Sequence, residues 1–299
     1  MIIGTRGSAL ALAQTRKVLE RLRLAWPDEV FEERIVQTAG DRKPDSPLIE
    51  IGQKGAFVRE LEIALRHGEI DAAVHSLKDV PCVLDDEFCL AAVPEREDPR
   101  DCLVSPSFGS LSDLPQMATV GTGSPRRKAM LLRVRPDLRV QDIRGNVDTR
   151  IGKVRAGAFD AIVLAVAGIT RLGLSGQITE IFSWDVMMPT PGQGALGLEC
   201  RRDDVNTHEK LAAIDAPSIR ACVEAERAVA EKLGASCHTA LGALATESEG
   251  RIKLRATLAQ QEGLEVLCEQ ALGTLNEATA LGYSVAERLL ARGGDRFLL

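Results

Sequence analysis

Residues 70–81 read Ile-Asp-Ala-Ala-Val-His-Ser-Leu-Lys-Asp-Val-Pro, a short apolar run from Ile70 to Val74 that passes directly into His75, Ser76, Lys78 and Asp79. The run reads as a buried strand, and in open α/β sheets the groups just past a strand's carboxyl end face a cleft. His, Ser, Lys and Asp would then share one opening. The same residues suit a solvated strand-to-loop turn, and the motif alone does not separate the two. An aspartate beside a lysine can stay ionised and still exchange a proton. His75 taken singly reads as a satisfied structural histidine.

Outward from this strand, helix and strand signals alternate. Ser8 to Leu24 carries apolar residues at helical spacing with Ser8 as N-cap, Phe31 to Thr38 reads as a strand and Val58 to His67 as a helix. This order predicts a parallel sheet with helices on its faces. The polar segment 39–55, holding Pro44 and Pro47, is longer than an ordinary connector; loops of this length are usually disordered or functional lids. At Pro94-Glu-Arg-Glu-Asp-Pro-Arg-Asp101 the apolar pattern breaks, a candidate crossing between domains. It restarts with a strand closing at Val120, a basic helix Ser124 to Arg135, a strand Val140 to Ile143, a helix Val147 to Ala156 and a buried strand Ala161 to Ala167. Pro189, Pro191, Gly192 and Gly194 mark a second crossing, followed by a strand Ala195 to Cys200. Two crossings between two α/β units are the arrangement of hinged, ligand-clasping proteins. From about Pro217 a small α+β domain is expected, with helices Ser218 to Leu233 and Ala278 to Arg292 and strands Ile252 to Leu258 and Glu265 to Gln270.

Composition bounds these readings. A chain of 299 residues predicts two or three domains. With 45% apolar and 27% charged residues it has core enough to fold without disulfides or metal. The net charge of -6 and the ten aromatics (7 Phe, 2 Trp, 1 Tyr) disfavour nucleic acid as a partner. Seven cysteines without CxxC spacing and four histidines offer no zinc ligand set, so no metal is expected and the thiols read as mostly reduced. No secretory signal is legible at 7–13, and the longest apolar run, Ala161 to Ile169, is about half a membrane span. No membrane partner is expected, and the cytoplasm is the expected compartment.

Because the whole molecule is acidic, any anion must be met by a local basic cluster. Val120-Gly-Thr122-Gly-Ser124-Pro-Arg126-Arg127-Lys128 is a glycine-rich strand-to-helix turn that presents backbone N–H groups and a helix N-terminus. It lacks the phosphate-loop pattern, and an ordinary basic helix start would look similar. Arg144-Gly-Asn-Val-Asp-Thr-Arg150 is a second such turn. At the ends of adjacent strands the two would build one arginine pocket, suited to bidentate carboxylate or phosphate binding. Arg6, Ser8 and Lys54 offer further anion-binding groups on an opposite wall. Gly234-Ala-Ser-Cys237-His238-Thr-Ala-Leu-Gly242 sets a thiol in a loop of small residues, with room for something attached to the sulfur.

These motifs, in order and over essentially the whole chain, resemble the porphobilinogen deaminases, also called hydroxymethylbilane synthases. The matching segments are GTRGSALALAQT, IGQKGAFVRELE, DAAVHSLKDVP, EREDPRD, VGTGSPRR, IRGNVDTR, FDAIVLAVAGITRLG, PGQGALGLECR and GASCHTALG. The resemblance implies an α/β fold of two hinged domains like type II periplasmic binding proteins plus a small C-terminal α+β domain. Domain 1 would comprise 1–94 and 195–214, with a flexible loop at 41–55; domain 2 would span 100–188 and domain 3 217–299. It implies a transferase that polymerises four porphobilinogen molecules head to tail, with loss of ammonia, into linear hydroxymethylbilane for tetrapyrrole and haem synthesis. The primer would be a dipyrromethane cofactor in thioether linkage to Cys237, and the catalytic carboxylate Asp79. Cofactor carboxylates would be held by Lys78, Thr122, Ser124, Arg126, Arg127, Arg144 and Arg150. Arg6 and Arg171 would hold substrate or growing chain, with Ser8, Ser76 and Gln193 as polar support and Lys54 on a loop that closes over the cleft. The family implies a monomer that hands its product to uroporphyrinogen III synthase.

Three positions depart from the commoner pattern: Glu50 stands where many relatives carry lysine, Gly123-Ser124-Pro125 where Ser-Ser-Leu is frequent, and His238 where glutamine is frequent. A competing reading is a non-catalytic anion-sensing module on the same hinged fold, which would bind carboxylates reversibly without releasing ammonia from porphobilinogen.

Overall fold

The structure, a computed structural model, describes residues 1–38, 58–236 and 238–298. The loop expected at 41–55, with Glu50 and Lys54, and the expected attachment residue Cys237 lie outside the described residues.

In chain order, β1 (Ile2–Thr5), α1 (Ala9–Ala25), β2 (Glu32–Ile35), α2 (Arg59–Arg66), β3 (Ala72–Ser76) and β4 (Phe88–Ala92) precede β5 (Asp101–Val104). There follow β6 (Thr119–Gly121), α3 (Pro125–Val134), β7 (Arg139–Gln141), α4 (Val147–Arg155), β8 (Ala161–Ala165), α5 (Val166–Arg171) and β9 (Glu180–Ile181). The last stretch holds β10 (Leu196–Arg201), α6 (Val205–Ala212), α7 (Pro217–Lys232), β11 (Ala240–Ser248), β12 (Arg251–Ala259), β13 (Val266–Thr274) and α8 (Ala278–Ala291). The chain forms two compact units, Met1–Glu97 with Gly194–Arg220 and Asp98–Gln193 with Ala221–Leu299.

The first unit is built on a five-stranded sheet in the order β2-β1-β3-β10-β4. β1 runs parallel to β2 and β3, while β10 runs antiparallel to β3 and β4. Both faces are covered. Val18, Leu19 and Leu22 of α1 pack on Ile3, Val74, Leu196 and Leu198, and Leu61, Ala64 and Leu65 of α2 pack with Ile70, Ala73 and Phe88 on the opposite face. Burial on two sides explains why this strand reads as an unbroken apolar run. The strand is Ala72–Ser76, not Ile70–Val74 as expected, because pairing with β10 carries it to the register Gly197↔His75 and Leu196↔Ser76. Ile70 instead belongs to the turn after α2, its N–H donating to Ala64 O.

The second unit repeats that order. Its sheet is β7-β6-β8-β5-β9, with β6 parallel to β7 and β8, and β5 antiparallel to β8 and β9. Ala129, Met130 and Leu131 of α3 cover one face with Leu103, Val120 and Val163; Ile151 and Val154 of α4 and Ile169 of α5 cover the other with Val104, Ile162 and Leu164. The expected strand Ala161 to Ala167 ends at Ala165, and Val166 starts a helix. An apolar run buried in both states carries no period by which to place that boundary. The same unit holds the antiparallel sheet β11-β12-β13 with α8 across it. The expected small-residue loop 234–242 is in its last three residues the start of β11, which pairs with β12 over nine positions. Alanine and glycine carry little strand propensity, so here the partner decides. Gly242 is needed bare, since a Cβ there would lie 2.8 Å from Met188.

Candidate functional site

In the first unit, β1 and β3 are parallel neighbours, so the residues that follow them emerge at one edge. This brings Arg6 and Ser8 to the same end of the sheet as Ser76, Lys78 and Asp79. Leu77–Asp79 form a single 3₁₀ turn, fixed by the Leu77 N–H donating to Ala195 O at 3.0 Å and by the burial of Leu77 and Val80. Between these anchors the side chains of Lys78 and Asp79 are exposed. Among the described residues no group bonds the Asp79 carboxylate. Ser8 caps α1, its Oγ accepting from Ala11 N at 3.3 Å. The Ser76 hydroxyl is held by Gln14, whose Nε2 donates to it at 2.9 Å. Gln14 is buried on α1 and was hidden in the sequence among core-spaced residues.

His75 is buried, and its Nε2 lies 2.9 Å from Oε2 of fully buried Glu199. It is the partnered structural histidine that its setting implied. Glu199, inside the apolar run of β10, carried no signal in the sequence.

In the second unit, the turns after β6 and β7 meet because the two strands are parallel neighbours. The Thr122 N–H donates to Gln141 O at 2.9 Å. Gly123 lies beside Arg144, whose Cζ would be 3.9 Å from a Cβ placed there. Thr122 Oγ1 accepts from Ser124 N at 3.2 Å, and Ser124 caps α3, its Oγ accepting from Arg127 N at 3.4 Å, with Pro125 in the first turn. Gly145 takes φ +107, where a Cβ would come within 2.8 Å of Thr149 Cγ2. Its carbonyl accepts from Arg150 Nε at 2.7 Å, which folds that arginine back on its own turn. Arg144 is half-buried, 3.8 Å from Asp142.

Arg126 and Arg127 depart from the expectation that they face an open cleft. Both are buried, and the anion they meet inside the chain is Asp101. Arg126 Nη1 donates to Asp101 Oδ2 and to Met188 O, each at 2.7 Å. Arg127 donates to Asp101 Oδ1 from Nη2 at 2.7 Å and Nε at 3.0 Å, and from Nη1 to Val163 O at 2.9 Å. Gln193 Nε2 donates to the same oxygen at 3.0 Å and to Pro99 O at 2.7 Å. Burial would raise the Asp101 carboxyl, but the guanidinium groups of Arg126 and Arg127 overcome it and hold it down at about 2. Asp101 stood in the charge run taken for a domain crossing, and only its place at the head of β5 shows it to be internal.

Two guanidinium charges against one carboxylate leave this cluster with a net positive charge. Arg126 Nε is buried with no hydrogen-bond partner among the described residues; Arg171, at the end of α5, is buried too. A ligand bearing carboxylates fits such donors. Ahead of β11, Ser236 N donates to Thr239 Oγ1 at 3.0 Å and His238 N to Ser236 Oγ at 3.2 Å. Burial pushes the Cys102 thiol up to about 12, which makes it a packing residue. Among the described residues no cluster of His, Cys, Asp or Glu could hold a metal ion, and no helix is long and apolar enough to cross a membrane.

Fold and site together define an α/β protein with ionisable and anion-binding groups on the carboxyl-end turns of its two larger sheets. Residues 1–209 match the family model described as porphobilinogen deaminase, dipyromethane cofactor binding domain, and residues 220–291 match the porphobilinogen deaminase C-terminal domain. The chain belongs to the porphobilinogen deaminase family. It is 46% identical to the porphobilinogen deaminase of Chromobacterium violaceum over 98% of this chain and 95% of that one. To that of Shouchella clausii it is 47% identical over 100% of this chain and 96% of that one. Among solved structures, the periplasmic VFT2 domain of Bordetella pertussis BvgS aligns with 71% of this chain and 85% of its own at 17% identity and a TM-score of 0.43.

Proposed function

We propose that this chain condenses four porphobilinogen molecules head to tail, with loss of ammonia, into linear hydroxymethylbilane for tetrapyrrole and haem synthesis, on a dipyrromethane cofactor in thioether linkage to Cys237. When bound, that group supplies the first two rings and the terminal position to which the next unit is joined. Arg126, through its unpartnered buried Nε atom, and Arg171 fit its carboxylates or those of the growing chain. Arg144, Arg150, Lys78, Thr122 and Ser124 complete the cofactor set. Arg6, Ser8, Ser76 and Gln193 support substrate, and Lys54 belongs to the covering loop.

Asp79 is the proton carrier. Its acid form protonates the aminomethyl nitrogen of porphobilinogen as ammonia leaves, and the carboxylate so formed steadies the electron-poor pyrrole through its N–H. The same carboxylate would then take the proton displaced from the ring that adds to the electron-poor pyrrole. The observation that carries this assignment is the exposed Asp79 carboxylate on a turn anchored by buried Leu77 and Val80, with no partner among the described residues. An anchored backbone with an uncommitted carboxylate is what repeated proton transfer to successive substrates requires.

Intact-mass measurement is expected to show an excess equal to two linked pyrroles, absent in Cys237→Ser. Asp79→Asn is expected to lower ammonia release from porphobilinogen by about 10²–10⁴-fold while leaving unfolding within about 0.5 kcal/mol of wild type. An active protein of bare sequence mass, or full turnover by Asp79→Asn, would overturn the assignment. Carboxylate binding without any turnover would favour a sensing module instead.

The reading extends to a three-domain division, 1–94 with 195–214, 100–188 and 217–299, and to a cytoplasmic monomer that delivers its product to uroporphyrinogen III synthase. Sedimentation at micromolar concentration tests the monomer, and a mass other than one chain would refute it.

A further inference from the structure

Cys89 and Cys200 are 111 positions apart in the chain, yet β4 and β10 set them directly opposite each other. Their Sγ atoms are 3.8 Å apart. Two places further along the same ladder, Arg202 N donates to Glu87 O at 2.8 Å. Bonded pairs alternate in an antiparallel ladder, so Cys89 and Cys200 are again a bonded pair, with Cα atoms about 5.5 Å apart. That lies inside the range of about 4.4–6.8 Å that a disulfide spans. To reach a bond of about 2.05 Å each sulfur moves by about 0.9 Å, within the reach of side-chain rotation. Both thiols lie on the face covered by α1 and α6, away from His75 and Glu199.

The two sulfurs are not equivalent. Cys89 is half-buried, whereas Cys200 is fully buried. The Cys89 thiol is pulled below its usual range by a hydrogen bond from Cys200, against burial, with Arg202 and Arg220 adding to the pull. The hydrogen bond shared with Cys89 and full burial push the Cys200 thiol up. Cys89 is therefore the reachable nucleophile and Cys200 the waiting partner.

We propose that Cys89 and Cys200 are a modification site, a pair that a hydroperoxide converts reversibly into a cross-strand disulfide within the sheet that bears Asp79. The Cys89 thiolate attacks the peroxide: an S–O bond forms, the O–O bond breaks and the alcohol, or water from hydrogen peroxide, leaves with one proton. The Cys200 sulfur then attacks Cys89 Sγ; the S–S bond forms, the S–O bond breaks, and water leaves carrying the thiol proton. In sum two thiols and one hydroperoxide give one disulfide, one alcohol and one water. A dithiol reverses the bond by exchange. The link joins an edge strand to its neighbour and closes a long loop, so it restrains the unfolded chain and raises the unfolding temperature by about 5 °C.

The test is stoichiometric hydrogen peroxide added to the full-length holoenzyme, followed by non-reducing digestion and mass spectrometry. Expected is one peptide pair joining Cys89 to Cys200 at two hydrogens below the sum of its parts, with the rise in unfolding temperature, both undone by dithiothreitol. Cys89→Ser and Cys200→Ala are each expected to lose the link and the rise, and in Cys200→Ala the Cys89 sulfur stops at sulfenic acid, going on to sulfinic acid only with a second equivalent of peroxide. Because Cys200 is a core residue, the edge-strand variant Cys89→Ser carries the test if Cys200→Ala fails to fold. The proposal is overturned if wild type gains oxygen at Cys89 without the linked peptide, if both thiols stay open to alkylation, or if the link joins other cysteines.

Discussion

Replacing Asp101 by asparagine keeps the shape of a side chain but removes the one negative charge that Arg126 and Arg127 share. Both guanidinium groups stay buried, at 3% and 7% relative exposure, and the amide can offer an oxygen to only one of them. Its –NH₂ group would face an arginine donor. Breaking a buried pair from one side leaves uncompensated charge, which costs about 3–5 kcal/mol. In urea, at a slope of about 2–3 kcal/mol/M, the midpoint falls by about 1.5 M. The wild-type carboxyl gives an independent figure. Its ordinary value of 3.8 is lowered to about 2, which at about 1.4 kcal/mol per tenfold change is about 2 kcal/mol of native stability. A carboxyl whose folded-state value lies below the unfolded one stabilises the fold above the unfolded value and yields that stability as pH falls through the folded value. Asp101 therefore contributes fully above pH about 4 and loses its contribution between about 4 and 2. Urea midpoints of wild type and Asp101→Asn, measured across that window, should converge by about 2 kcal/mol as the pH falls. A loss below about 1 kcal/mol at neutral pH, or a gap that does not narrow in acid, would refute the view that Asp101 neutralises two buried arginines.

Glu226 on α7 is fully buried and accepts the N–H groups of Gly192 and Ala245, each at 2.7 Å. Glu226→Gln turns one acceptor into a donor against a backbone N–H and should cost about 2–3 kcal/mol, read as a fall in thermal midpoint; a change under about 0.5 kcal/mol would contradict it. Gly145→Ala meets both the positive φ and the Thr149 contact, so a destabilisation of about 2 kcal/mol is expected by urea titration. Since the Gly145 carbonyl holds Arg150 Nε, the same variant should lower the fraction of chains that assemble the cofactor, read by intact mass; full loading at unchanged stability would count against the strain.

Helices with a cap and a regular apolar stripe were legible in the sequence. Ser8 before α1 and Ser124 with Pro125 before α3 fixed their starts by local chemistry alone. Strand limits were less legible, because β3 ends where β10 stops pairing with it and β11 exists through β12. The candidate site divided the same way. Asp79, Lys78 and the two arginine turns stood out because charged or glycine-rich residues directly follow apolar runs. Asp101, Glu199, Gln14 and Glu226 did not, since a buried polar residue is marked only by partners 19 to 124 positions away, such as Ala245 for Glu226 or His75 for Glu199.

By itself the sequence determined the α/β alternation, the family, and the residue types proposed to meet carboxylates and carry a proton, because these follow from local spacing and ordered motifs. Which charges are neutralised inside, with Arg126 and Arg127 turned onto Asp101, and which thiols face each other, with Cys89 opposite Cys200, was decided only by the tertiary structure. Burial and pairing depend on strands distant in sequence, and a side chain's charge acts on whatever the fold brings within a few ångströms of it.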